Sequence, residues 1–192
     1  KEFGNLEFKV EKDFKSNYKF FFDIFITQKT VQYNITNSYN IFKNKEVYSF
    51  YKSIFDYKNN INHCSYLLLN DEIIAVHLGL LSNKSFYYIF PSYDRKRYAK
   101  FSPGRILLLF LIEWSINHGY EIFDFTVGAE NYKKDWVNSE NRLNELLIAN
   151  NLKGEIYFFL QKLFLTIKNI YKKSKFLKSI LSSKNPIFKI FF

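Results

Sequence analysis

The chain has 192 residues, rich in Phe (23) and Tyr (15), with 28 Lys and Arg against 18 Asp and Glu for a net charge of +10. That length suits one domain with a sizeable core and is marginal for two. The charge favours anionic partners such as phosphates, nucleic acid or an acidic membrane surface, and the lone cysteine excludes an internal disulfide and a cysteine-based zinc site.

The three histidines, His63, His77 and His118, lack metal-ligand spacing, so no metal is expected. The sequence opens on Lys1 without any methionine, which predicts a piece of a longer protein. No signal peptide is visible, and the apolar run Ile106–Ile112 is far short of the ~20 residues a bilayer span needs. A cytoplasmic protein is expected.

In chain order, Leu6–Val10 alternates apolar and polar residues and predicts a strand. Asp13–Thr27 predicts a helix, with Phe14, Tyr18, Phe21, Phe22 and Phe25 along one side. Thr30–Asn44, rich in Asn, Thr and Ser, predicts a loop. Lys45–Tyr57 predicts a second amphipathic helix. Tyr66–Leu69, the turn Asn70-Asp71 and Glu72–Leu81 predict a hairpin, and Ser85–Phe90 a further antiparallel strand closed by Pro91. Ser102 and Pro103 predict the cap and first turn of a helix that Gly119 ends. Glu121–Val127 is apolar on both faces apart from Asp124 and Thr126, which predicts a central strand parallel to its neighbour. Strand, basic loop, helix and strand together make a right-handed βαβ unit. Residues 145–149 predict a last strand, and a long helix with a basic face is expected from Gly154. The domain is expected over residues 1–152, with a basic amphipathic helix and tail over 153–192.

Two loops carry candidate chemistry. Lys100, Phe101, Ser102, Pro103, Gly104 and Arg105 surround a helix start, whose unpaired N–H groups attract phosphate. Gly104 lets a ligand approach the backbone. The second loop follows Asp124. Burial in an apolar strand would raise that carboxyl toward neutrality and make it a proton acceptor; a structural carboxylate bonded to backbone donors is the alternative. Lys133 could stabilise an oxyanion or sit solvated, and Tyr132 could donate a proton or pack in the core. His77 shares a strand face with Ala75 and Gly79, which leaves room for a ligand, although a lone strand histidine commonly serves the core. Tyr93 and Asp94 end the hairpin. Neither a P-loop nor a dinucleotide-binding glycine fingerprint is present.

The ordered set of Tyr93-Asp94, Phe101-Ser102-Pro103-Gly104 with a Leu-rich helix, Gly119, and Asp124-Phe125-Thr126-Val127-Gly128-Ala129-Glu130-Asn131-Tyr132-Lys133 resembles the GNAT-fold acyltransferases. It looks closest to their cellulose-biosynthesis-type (CelD-like) branch, related to the FemABX peptidyltransferases, with the strongest match over residues 64–136. The resemblance implies a mixed, mostly antiparallel sheet with flanking helices and a long C-terminal helix. It also implies a second GNAT half upstream. Acyl-CoA would bind with its pyrophosphate at Lys100–Arg105 and its pantetheine between the strands containing Tyr87–Phe90 and Phe123–Val127. The acyl group would pass directly to an amine or hydroxyl acceptor, a saccharide or cell-envelope precursor among the choices. Asp124 or His77 would take the proton, Lys133 would stabilise the oxyanion, Tyr132 would serve the leaving group, and Tyr93, Asp94 and Glu130 would contact the acceptor. FemABX-like enzymes use aminoacyl-tRNA instead, the one route by which nucleic acid is expected as a partner. The chain departs from ordinary GNAT enzymes in having Ser-Pro-Gly where they carry a longer glycine loop. The basic C-terminal helix and the ending Pro186–Phe192 suit peripheral contact with an anionic membrane on its cytoplasmic face.

Overall fold

A computed structural model describes residues 4–57, 61–128, 130–144, 146 and 148–173. The chain divides into two compact units, Lys1–Lys134 and Asp135–Phe192. The first holds β1 (Leu6–Val10), α1 (Phe14–Thr36), α2 (Lys45–Asp56), β2 (Asn62–Leu69), β3 (Glu72–Ser82), β4 (Ser85–Tyr93), α3 (Arg95–Tyr98), α4 (Pro103–Asn117) and β5 (Ile122–Asp124). The five strands form one sheet in the order β1-β2-β3-β4-β5, antiparallel except for the parallel β4–β5 pair. This is the mixed α+β architecture expected of a GNAT-like fold.

Helices cover both faces of the sheet. On one, Phe21, Phe22 and Phe25 of α1, Phe42 and Phe55 pack with Cys64, Val76 and Leu78 into an aromatic core. On the other, Leu107, Leu108 and Leu111 of α4 are buried, Phe110 stacks on Phe8 at 5.3 Å, and Trp114 lies 4.5 Å from the His63 ring.

Helix α1 runs to Thr36, through much of the expected loop, and ends where Asn37 adopts a left-handed conformation (φ 51°). The remainder of that loop includes a 3-10 turn, Ile41–Lys43, capped by the Asn40 side chain. The polar side chains that suggested a loop here are largely exposed or bonded locally, as Thr36 is to the Gln32 carbonyl, and so do not oppose the helix. Gln28 is buried, and its Oε1 accepts from Ser92 Oγ at 2.8 Å.

Strand β4 continues through Pro91 to Tyr93. A proline is tolerated because this part of the strand has β3 on one side only. The expected central strand is instead a three-residue edge strand, β5, among the described residues. It stops early because Asp124 Oδ1 accepts the Thr126 N–H at 2.6 Å and Thr126 turns left-handed (φ 57°), which carries the chain out of the sheet.

In the second unit, α5 (Leu152–Lys173) is capped by Asn151, whose Oδ1 accepts from the Gly154 N–H at 2.8 Å. The strand expected at 145–149 falls partly on residues outside those described, and Leu146, Ile148 and Ala149 carry no strand. No helix among the described residues is long and apolar enough to cross a membrane. The expected tail 174–192 lies outside the described residues.

Candidate active site

The site begins with a failure of strand pairing. β4 and β5 pair through Ser85–Ile122, Phe86–Phe123 and Tyr87–Asp124 and then separate. At the same level β4 bulges. Leu78 pairs with Phe90 and Leu80 with Tyr87, so Tyr88 and Ile89 together oppose Gly79. A Cβ on Gly79 would come within 2.7 Å of the Tyr87 carbonyl oxygen and 2.4 Å of the His77 ring, so the bulge requires glycine there. The outcome is that β4 and β5 part, and beyond Tyr87 β4 has no strand partner on that flank among the described residues.

The loop leading to α4 closes one end. Asp94 caps α3 by accepting the Lys96 and Arg97 N–H groups (3.1 and 3.2 Å), and the Arg97 guanidinium spans Asp94 and Glu72. Partial burial pushes the Asp94 carboxyl up, but Arg97 outweighs it and holds the group below its ordinary value. Ser102 is left-handed (φ 53°) and makes no side-chain cap, contrary to the sequence expectation. The Arg105 and Ile106 N–H groups turn back onto the Ser102 carbonyl, and the Gly104 N–H has no protein partner among the described residues. Tyr93 lies across Gly104, where a Cβ would sit 3.2 Å from its ring. Lys100 lies over the Phe101 ring at 4.8 Å, and Arg95 over Tyr93 at 5.9 Å.

The turn after β5 closes the other end. Lys133 is 8% exposed, and its three N–H groups meet the Val127 carbonyl (3.4 Å), the Gly128 carbonyl (3.2 Å) and the Glu130 carboxylate (2.8 Å). Each donor has an acceptor, so the ammonium fastens the turn. Its hydrogen bond to Glu130 holds that carboxyl below its ordinary value. Tyr132 lies beside this pair, and its phenol is pushed up by burial and then by the Glu130 charge.

Asp124 is half-buried at the last paired position of β5, bonded to its own turn, rather than sunk in a central strand. His77 is fully buried beneath α4, stacked between Tyr88 (4.9 Å) and Phe86 (5.5 Å), with neither ring nitrogen hydrogen-bonded. Burial, and then the neighbouring His63, drive its pKa well below the ordinary value. The structure thus gathers Tyr132, Lys133 and Glu130 in one turn and Tyr93, Asp94 and Gly104 at the other loop, while His77 belongs to the core.

Sequence reasoning missed Lys29, half-buried on α1, whose charge interacts with Glu130. It also missed a cavity of about 510 Å3 between α1 and the ends of β3 and β4, lined in part by Asp23, Thr27, Gln28, Ile73, Asp94 and Lys96. The packing of α1 against the ends of β3 and β4 brings these groups together, and their spacing carries no signal in the sequence. Among the described residues no cluster of His, Cys, Asp and Glu is arranged to hold a metal.

The chain is similar to several solved structures. A possible acetyltransferase from Clostridium difficile 630 is 10% identical, with 76% of this chain covering 99% of that one at a TM-score of 0.52. An aminoglycoside acetyltransferase from an uncultured soil metagenomic sample is 12% identical over 76% of this chain and 97% of that one (TM-score 0.47). A predicted acetyltransferase with acetyl-CoA from Clostridium acetobutylicum is 13% identical over 74% and 96% (TM-score 0.47). No curated protein matches the chain. The family described as "Acetyltransferase (GNAT) domain" matches residues 1–134, the unit that contains the opened strands and both loops, and the chain belongs to that family.

Proposed function

We propose that this acetyltransferase moves an acetyl group from acetyl-CoA to an amine or hydroxyl of a saccharide or cell-envelope precursor, as the CelD-like resemblance implies. GNAT acetyltransferases use acetyl-CoA. The residues present fit it: an uncapped helix start, a glycine beneath Tyr93, and Lys100 and Arg105 beside them suit a pyrophosphate. The single observation that carries the reading is the separation of β4 from β5 after Tyr87 and Asp124.

When bound, acetyl-CoA supplies the acetyl group as a thioester. The chain's own residues do the rest. Backbone N–H groups on the unpaired flank of β4 are preorganised donors for charge developing on a carbonyl oxygen, a contribution that needs no side chain. Holding both substrates in one opening supplies much of the acceleration. Tyr132, whose phenol is pushed up by partial burial and then by the Glu130 charge, is the proposed donor of a proton to the leaving thiolate. Lys133 holds the turn that carries Tyr132, and Asp124 sets where that turn begins. The cavity beside α1 offers Asp23, Gln28 and Asp94 as hydrogen-bonding groups against an apolar wall of Ile24 and Ile73, a mixture suited to a sugar.

The test is thermal unfolding with coenzyme A. Ligand at 100 times its Kd should add about 2.7 kcal/mol of stability, and no shift at millimolar coenzyme A would remove this donor. The net charge of +10 favours aminoacyl-tRNA as a second reading. Filter binding of charged tRNA against acetyl-CoA separates the two. Helix α5 carries Lys153, Lys162, Lys168, Lys172 and Lys173 against Glu155 and supports a peripheral membrane contact, which co-sedimentation with anionic vesicles tests.

A further inference from the structure

The sheet ends at β1 on a row of backbone groups that no strand takes up. The Glu11 N–H donates to the Cys64 carbonyl at 2.9 Å, and the Asn5 carbonyl accepts from the Asn70 N–H at 3.1 Å. The odd-numbered residues of β1 therefore turn their N–H and C=O groups toward β2. Those of Leu6, Phe8 and Val10 point out of the sheet edge, and β1 has no second strand partner among the described residues. An edge of this kind is a template for another strand. We propose that two copies of this chain pair through β1, antiparallel and centred on Phe8, so that their five-stranded sheets join into one.

The strand is complementary to itself in that register. Phe8 opposes the partner's Phe8 and Leu6 opposes the partner's Val10, each pair exchanging its outward N–H and C=O groups. Glu7 then lies across from the partner's Lys9, and Lys9 across from the partner's Glu7, at the closer positions that exchange no backbone bonds. Within one copy Lys9 Nζ already lies 2.9 Å from Glu7 Oε2, so pairing joins four charges of alternating sign. Sliding one copy by two residues sets Glu7 against Glu7 or Lys9 against Lys9. A lysine alone on an edge deters pairing, but here a glutamate mirrors it about Phe8. The apolar side matches as well. Phe8 stacks on Phe110 of α4 at 5.3 Å with both rings half-buried, and Leu6 is 39% exposed. The two-fold brings the partner's Phe8 alongside this pair. A cavity of about 570 Å3, lined by residues 8–12 with Tyr66 and Trp114, borders the strand and leaves room for a neighbour.

Pairing through β1 keeps the two reaction sites apart. β5, which parts from β4, is the opposite edge of the sheet from β1. The joined sheet thus carries one pair of parted strands at either end, and neither copy completes the other's site. The dimer is independent of the acetyl transfer proposed above.

Sedimentation equilibrium of the full chain tests the pairing. Joining two short edges makes a small interface of the weak class, so the measurement runs up to about 100 µM protein. A dimer is expected there, and a monomer overturns the proposal. Glu7→Lys and Lys9→Glu each set like charges across the two-fold twice, and each should weaken dimerisation about tenfold or more. An equimolar mixture of the two variants should restore it, because each supplies the charges the other lacks. Both side chains are solvent-accessible, and recovery on mixing separates lost pairing from lost folding. A dimer that neither substitution weakens lies on another surface and also overturns the proposal. The register has its own readout in chains carrying Glu7→Cys mixed with chains carrying Lys9→Cys. Oxidation should give the 7–9 disulfide between copies, identified by mass spectrometry, because directly opposed residues come within disulfide reach and diagonal ones at about 7–8 Å do not. Cys64 is buried and does not compete. Yields of 7–7 and 9–9 products equal to the 7–9 product would exclude a pairing centred on Phe8.

Discussion

Lys133 and Lys29 show how two lysines near one carboxylate acquire different characters. Lys133 meets three acceptors, whereas Lys29 bonds one neutral acceptor, Gln32 Oε1, and only feels the charge of a carboxylate already paired with Lys133. Lys133→Met should therefore act first on the fold. Loss of its bonds to Val127, Gly128 and Glu130 should cost about 2 kcal/mol in urea unfolding, with turnover falling because Tyr132 is no longer held. The buried histidines make a second prediction. Burial, and then His118, depress His63 to about 3, and burial depresses His77 further. Both are neutral when folded, whereas in the unfolded chain they protonate below about 6.5. The stability they contribute is present above pH 6.5 and is lost as pH falls toward the folded values. Each pH unit below 6.5 should cost about 1.4 kcal/mol per histidine, and His77→Leu should roughly halve that slope. A slope unchanged by the substitution would show that His77 does not titrate on unfolding.

Among the elements, the bulge in β4 and the glycine opposite it decide the shape of the opening. Gly79→Ala puts a methyl against the Tyr87 carbonyl oxygen, a backbone atom that cannot swing aside. The substitution should destabilise by 1–3 kcal/mol by overpacking, and coenzyme A binding should weaken by more than the loss of folded protein explains. Titration of the folded variant with coenzyme A checks this. Elements with a strong local pattern were legible in the sequence: the alternation of Leu6–Val10, the Asn70-Asp71 hairpin, and the α4 stop at Gly119. α1 was half legible. Its closely spaced phenylalanines end at Phe25, and beyond that the helix is held by Tyr33 on the core and by Gln28 on Ser92, a contact between residues 64 positions apart. β5 was misjudged as central because its apolar residues pack onto rings, Phe123 on Phe86 at 5.0 Å and Phe125 on Tyr88 at 5.6 Å, rather than into further strands.

At the scale of the whole molecule, the excess of basic residues gives the protein a field that draws in anions. With acetyl-CoA as the donor, its KM should rise several-fold between about 50 and 300 mM salt as that field is screened, with kcat nearly constant. A salt-independent KM would confine the donor's contacts to uncharged groups. By itself, the sequence determined most of the order of elements, because periodicity and turn residues are local properties of neighbouring positions, and its ordered short motifs carried the resemblance to the GNAT family. The tertiary structure alone decided that β4 and β5 part after Tyr87 and Asp124, that Lys133 is saturated, and that His77 is sealed under α4. The reason is physical. A side chain's protonation, hydrogen bonding and solvent access depend on groups brought together from distant positions, and no spacing along the chain records how many acceptors an ammonium will meet.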